Sequence, residues 1–183
     1  LGMQRCYASL LHSYLKTFPC VALLGVRQCG KTTLLHTLPA GWKHVDLERR
    51  ADHAVMSRDP DTFFRVNPRH VALDEAQVLP EVFPALRVAI DERRAEKGRF
   101  VITGSSSPAL LRSVSESLAG RVGIIEMAPF SWEEVTKTSG RDSFLRRLQN
   151  RKASPADVIE GLKPRGALAP AHEFWFRGGF PEP

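Results

Sequence analysis

Five short apolar runs recur along the chain, each bounded by turn-forming residues. They are "PCVALLG" (Pro19–Gly25), "KHVDL" (Lys43–Leu47), "HVALD" (His70–Asp74), "RFVIT" (Arg99–Thr103) and "VGIIEM" (Val122–Met127). Continuous apolar runs of this length suit strands covered on both faces. Helical stretches lie between them, so the rhythm predicts an α/β fold with a five-stranded, mainly parallel sheet flanked by helices.

The connecting segments carry their own signals. "LPEVFPALRVAIDERRAEKG" sets Val82, Leu86, Ala89 and Ile90 on one helical face, with Gly98 as a C-terminal stop. Asp59 before Pro60 is the pattern of an N-cap followed by proline in the first turn, and Phe63 and Phe64 are then core anchors. After Pro129 the pattern changes: "SWEE" (Ser131–Glu134) reads as a capping box opening a short helix. The following "ASPADVIEGLKPRGALAPAHE" is rich in proline, glycine and alanine and reads as a linker or partly ordered arm. The expected organisation is an N-terminal helical segment over 1–17, a core over 18–128, and a helical and linker segment over 129–183.

Composition narrows the class. With 183 residues, 43% hydrophobic and 25% charged, the chain is long enough for one good core. It contains no run of eighteen apolar residues and no signal-peptide succession, which predicts a cytoplasmic protein without membrane contact. Cys6, Cys20 and Cys29 are odd in number and lack C-x-x-C spacing, so reduced thiols are expected rather than a disulfide framework or zinc site. A net charge of +6 permits contact with nucleic acid such as DNA, yet the arginines are dispersed, so on charge alone a solvated basic surface is the favoured reading.

The chemistry concentrates at strand ends. Gly25-Val26-Arg27-Gln28-Cys29-Gly30-Lys31-Thr32 satisfies G-x-x-x-x-G-K-[ST], follows an apolar strand and opens a helix. Glycines let the backbone curl so that successive N–H groups face phosphate oxygens. Lys31 is then placed for the β- and γ-phosphates and Thr32 for magnesium. Gly25, Arg27, Gln28, Cys29, Gly30, Lys31, Thr32 and Thr33 are the candidate ATP-binding residues. "HVALDEAQ" supplies Asp74 as a second magnesium anchor, and the adjacent Glu75 as the group that orients or deprotonates water. An Asp-Glu pair after a strand is otherwise a helix N-terminus. "FVITGSSS" puts Thr103 and Ser105 where a hydroxyl can sense the γ-phosphate or fix the water, while Ser106 and Ser107 serve equally as N-caps. Arg121, directly before the last strand, is a candidate for stabilising charge on a transferring phosphoryl group.

Together "LLGVRQCGKTTLL", "VALDEAQ", "FVITGSS", "SLAGRV" and the Gly178-Gly179-Phe180-Pro181-Glu182 segment resemble prokaryotic AAA+-type P-loop ATPases that carry a GGFPE segment before a C-terminal domain of unknown function. The resemblance runs from about Phe18 to the last residue. It implies ATP on Gly30, Lys31 and Thr32, magnesium on Thr32 and Asp74, water activation by Glu75, a sensor at Thr103–Ser105 and a finger or sensor role for Arg121, within its own subunit or across an interface. Val26 and Cys29 depart from the residues usual at those loop positions. The implied activity is ATP hydrolysis coupled to a conformational change in a C-terminal domain or partner, with self-association among the options. The alternative is a nucleotide-gated switch or DNA-associated module with negligible turnover.

Overall fold

The computed structural model of the chain describes residues 6–136, 154–156 and 168–180. Five strands form one sheet: β1 (Cys20–Gly25), β2 (Lys43–Asp46), β3 (Val71–Asp74), β4 (Phe100–Gly104) and β5 (Val122–Met127). Their order is β2-β3-β4-β1-β5, and every pairing is parallel. All five strand ends that follow the chain direction therefore lie on one side of the sheet.

Side chains alternate across a strand, so each central strand feeds two cores. On one face, helices α1 (Tyr7–Thr17) and α2 (Lys31–Leu35) pack Leu11, Leu34 and Leu35 with Val21, Leu23 and Val101. On the other, α3 (Arg50–Arg58), α4 (Pro60–Val66), α5 (Val82–Glu92) and α6 (Pro108–Ser117) pack Met56, Phe64, Phe83 and Val114 with Leu24, Leu73 and Ile102. Burial on both faces holds for β1, β3 and β4 and fails for the edge strands. In β2 only Val45 is buried, and β5 alternates, with Ile125 inside and Ile124 partly in solvent. An edge strand has a neighbour on one side only, and among the described residues its second face is only partly covered, at β5 by the packing of Val122 against the core.

The predicted N-cap is present: the Asp59 carboxylate accepts from the Thr62 N–H at 2.9 Å, with Pro60 opening α4 and both Phe63 and Phe64 buried. The end of α5 differs from expectation. It stops at Glu92, six residues before Gly98, because Arg99 is folded beneath it. The buried Arg99 guanidinium donates to the carbonyl oxygens of Ala89 at 2.8 Å and Ile90 at 3.5 Å, groups of the last helical turn that need outside partners.

The chain divides into two compact units, Arg5–Ala128 and one that takes in Pro129–Pro183. In the latter, Ser131 and Glu134 make the expected capping box: Ser131 N–H to Glu134 Oε2 at 2.9 Å, and Glu134 N–H to Ser131 Oγ at 3.2 Å. This opens α7 (Trp132–Thr136). The stretch read as a linker ends in a helix, α8 (Leu168–Arg177), whose Pro170 lies in the first turn where its missing N–H breaks no bond. Residues 157–167 of that stretch lie outside the described residues. Trp132 and Phe174 meet with ring centroids 5.5 Å apart, and the Phe130 N–H donates to the Gly179 carbonyl at 2.5 Å. Among the described residues no helix is long and apolar enough to cross a membrane.

Candidate nucleotide site

The loop after β1 starts from a residue that must lack a side chain. A Cβ on Gly25 would strike the Met127 carbonyl oxygen at the end of β5 and sit 2.9 Å from Cys29 Sγ. Cys29 is fully buried against the α1–α2 core, so its small thiol fills space under the loop while Val26, Arg27 and Gln28 are exposed above it. Gln28 (φ 61°) and Gly30 (φ 92°) are both left-handed. Residues in this conformation turn successive N–H groups inward, the backbone geometry of an anion nest.

Lys31 is only 4% exposed, and its Nζ donates to the carbonyl oxygens of Gly25 at 3.1 Å and Val26 at 3.0 Å. The Lys31 side chain thus reaches from the end of the loop back to its start. Thr32 Oγ1 donates to Asp74 Oδ2 at 2.7 Å, joining the loop helix to the end of β3. Thr103, fully buried on β4 between them, donates its hydroxyl to Asp74 Oδ1 and accepts the Glu75 N–H at 3.0 Å. Strand order explains the convergence: β4 separates β1 from β3, so its last residues reach the acids on one side and the loop on the other.

Glu75 has φ 54° and ψ 49°, and a 3₁₀ turn (Ala76–Val78) follows at once. Gln77 on that turn donates from Nε2 to Glu75 Oε2 at 2.5 Å. Outside this cluster, Arg27 points away from the loop and pairs with Glu48 at 3.1 Å, both largely in solvent. Thr33 is exposed on α2, and Ser105 is half-buried with its carbonyl accepting from the Ser107 N–H at 2.7 Å. Ser107 itself caps α6 through the Leu110 N–H at 3.3 Å.

Arg121 stands apart. Its neighbour Val122 pairs with Cys20 at the start of β1, whereas the loop leaves Gly25 at the other end. At about 3.3 Å per residue those ends are roughly 17 Å apart. There Arg121 grips Asp91 with Nε to Oδ1 at 2.7 Å and Nη2 to Oδ2 at 2.8 Å, and Nη1 donates to the Ala119 carbonyl at 2.9 Å. The Arg121 hydrogen bonds hold the Asp91 carboxyl below its ordinary pKa. Within one chain the structure brings together Lys31, Thr32, Asp74, Glu75 and Thr103, and does not bring Arg121 to them.

A family model for the AAA domain matches residues 17–136, a span containing every residue named above as a candidate. The chain belongs to this family of AAA+-type P-loop ATPases. It is 37% identical over 145 residues to the uncharacterized proteins Rv2008c of Mycobacterium tuberculosis and Mb2031c of Mycobacterium bovis. That match takes in 78% of this chain and 32% of each relative, so the chain spans about a third of their length. Its fold is similar to that of the Walker-type ATPase Paby2304 of Pyrococcus abyssi, with a TM-score of 0.55 at 18% identity over 88% of this chain and 63% of that one.

For this AAA domain, sequence reasoning passed over two contacts. Glu48, which takes Arg27 away from the loop, follows β2 with no motif to mark it. Gln77 lies in the quoted "DEAQ" but received no role, because only the left-handed turn at Glu75 folds it back onto the acid.

Proposed function

We propose that the AAA domain hydrolyses ATP with magnesium and passes the resulting change of state to a neighbouring domain or partner. The observation that carries this reading is the Thr32–Asp74–Thr103–Glu75 chain of hydrogen bonds, which links the phosphate loop to the two adjacent acids at the end of β3. A hydroxyl and a carboxylate converging at 2.7 Å are the donor set a hard divalent cation takes, so Thr32 and Asp74 would hold magnesium. When bound there, magnesium would supply charge neutralisation for the phosphates, with Thr32 and Asp74 holding it.

Lys31 would exchange its two loop carbonyls for phosphate oxygens, a short swing for an ammonium already held at the loop. The N–H groups of residues 27–32 would cradle the phosphates. Glu75 then accepts a proton as the water oxygen bonds to the γ-phosphorus and the bond to the bridging oxygen breaks, releasing ADP. Thr103 fixes both acids, keeping Asp74 toward Thr32 and the Glu75 backbone in its turn. Arg121 lies too far from its own loop to take part there, and would serve a phosphate only from a neighbouring copy.

The decisive measurement pairs MgATP affinity with turnover in Glu75→Gln. Proton transfer by a positioned side chain contributes about 10²- to 10⁴-fold, so hydrolysis should fall by at least a hundredfold while binding stays intact. Wild-type turnover in that variant would sink the assignment. Binding without turnover in the unaltered chain would make it a nucleotide-gated module instead.

A further inference from the structure

Gln77 has a contact with the proposed water-activating acid and a cost attached to it. Its Nε2 donates to Glu75 Oε2 at 2.5 Å, while its Oε1 is buried and, among the described residues, accepts from nothing. Exchanging the two amide atoms would turn the oxygen onto a carboxylate, so the hydrogen-bond partner fixes which way the amide faces. An unsatisfied buried acceptor is unfavourable and is retained only where something else holds the group in place.

Two features hold it. The left-handed backbone at Glu75 sends the chain directly into the 3₁₀ turn, which returns Gln77 to the acid two residues behind. On the far side the amide rests against the end of β4: a Cβ at Gly104 would lie 2.5 Å from Gln77 Oε1 and would also strike Leu110. Gly104 thus provides the slot that the amide occupies. Thr103, the preceding residue, points to the opposite face and bonds Asp74 and the Glu75 N–H. Glu75 is therefore gripped at both ends, its backbone by Thr103 and its carboxylate by Gln77.

We propose that Gln77 is a positioning residue that fixes the rotamer of the Glu75 carboxylate for proton transfer. The inference rests on the reading of Glu75 as the group that activates water. It commits Gln77 to the catalytic step and not to nucleotide binding, since no observed contact joins it to the phosphate loop.

The test uses two substitutions of Gln77 in the full chain. Gln77→Met keeps length and bulk in the Gly104 slot, and removes both the donor and the unsatisfied oxygen. Gln77→Asn keeps a donor but withdraws it from Glu75 by one methylene. Both should lower kcat by about tenfold or more, since small misplacements of a reacting group are costly, with KM and MgATP affinity close to wild type. The Tm of Gln77→Met should equal or exceed that of wild type, which a purely structural role would not allow alongside a drop in kcat. Wild-type kcat in Gln77→Met, with or without a lower Tm, overturns the proposal, as does a loss that lies in KM alone. Glu75→Gln run in parallel separates the failures. If it is inactive while the Gln77 variants are not, the positioning role alone falls; if it turns over normally, both readings fall.

Discussion

Thr103 stands directly beside Asp74, its hydroxyl proton directed at one carboxylate oxygen while the other accepts from Thr32. One buried hydroxyl thereby sets the orientation of the acid and, through the Glu75 N–H, the turn that follows. Thr103→Val keeps the shape and deletes both bonds. Each buried group left without a partner costs about 1–3 kcal/mol, so denaturant unfolding should show a loss of about 2 kcal/mol or more. ATP turnover should fall by a larger factor than MgATP affinity. Unchanged stability and turnover would mean that Asp74 and Glu75 are held by other contacts.

The start of the phosphate loop has no room for a methyl group. Gly25→Ala should displace the loop against Met127 and Cys29, lowering both Tm and ATP affinity. Adding Cys29→Ala removes the sulfur but leaves the Met127 carbonyl in the way, so the double variant should not recover affinity. Recovery would identify the thiol as the whole obstruction.

Arg121 and Asp91 make a two-pronged ion pair distant from the loop. Arg121→Ala should leave MgATP affinity of the single subunit unchanged and lower its thermal stability. The sign of the pH effect follows from the lowered Asp91 pKa in the folded state. A depressed acid contributes stability that is present above its unfolded pKa of about 3.9 and is lost as pH falls through the folded value. The Tm gap between wild type and variant, measured from pH 7 to pH 3, should therefore narrow once the pH drops below about 3.9. A constant gap would assign the loss to the arginine's packing.

His44 on β2 stacks on His36 with ring centroids 5.3 Å apart. Partial burial first, and then the neighbouring His36, lower the His44 pKa, with Asp74 opposing them. The folded chain thus binds its proton less readily than the unfolded one. Stability should decline as pH drops below about 6.5, the ordinary histidine value, and level off once the folded His44 is charged. His44→Gln should flatten that part of the curve. An identical slope in the variant would place the titration elsewhere.

How much of this was legible beforehand depended on whether a signal was local. All five apolar runs located strands, but the covering of both faces that they suggested holds only at β1, β3 and β4, and the Asp59 cap and the Ser131–Glu134 box involve residues three apart. The end of α5 was illegible because its cap, Arg99, comes from beyond the turn, at the start of the run that forms β4. The distance of Arg121 from the loop depends on the parallel register of β5 with β1, which no motif contains. Gln77 was in plain view, yet a left-handed glutamate is not signalled by its neighbours.

The last two residues of β4 face opposite sides of one sheet, and each is committed. Position 103 must supply an oxygen to the acids; position 104 must supply no atom at all, or the amide behind Glu75 has nowhere to lie. Two adjacent codons therefore carry opposite chemical demands, and a library randomised at both should return little beyond a hydroxyl followed by a bare backbone.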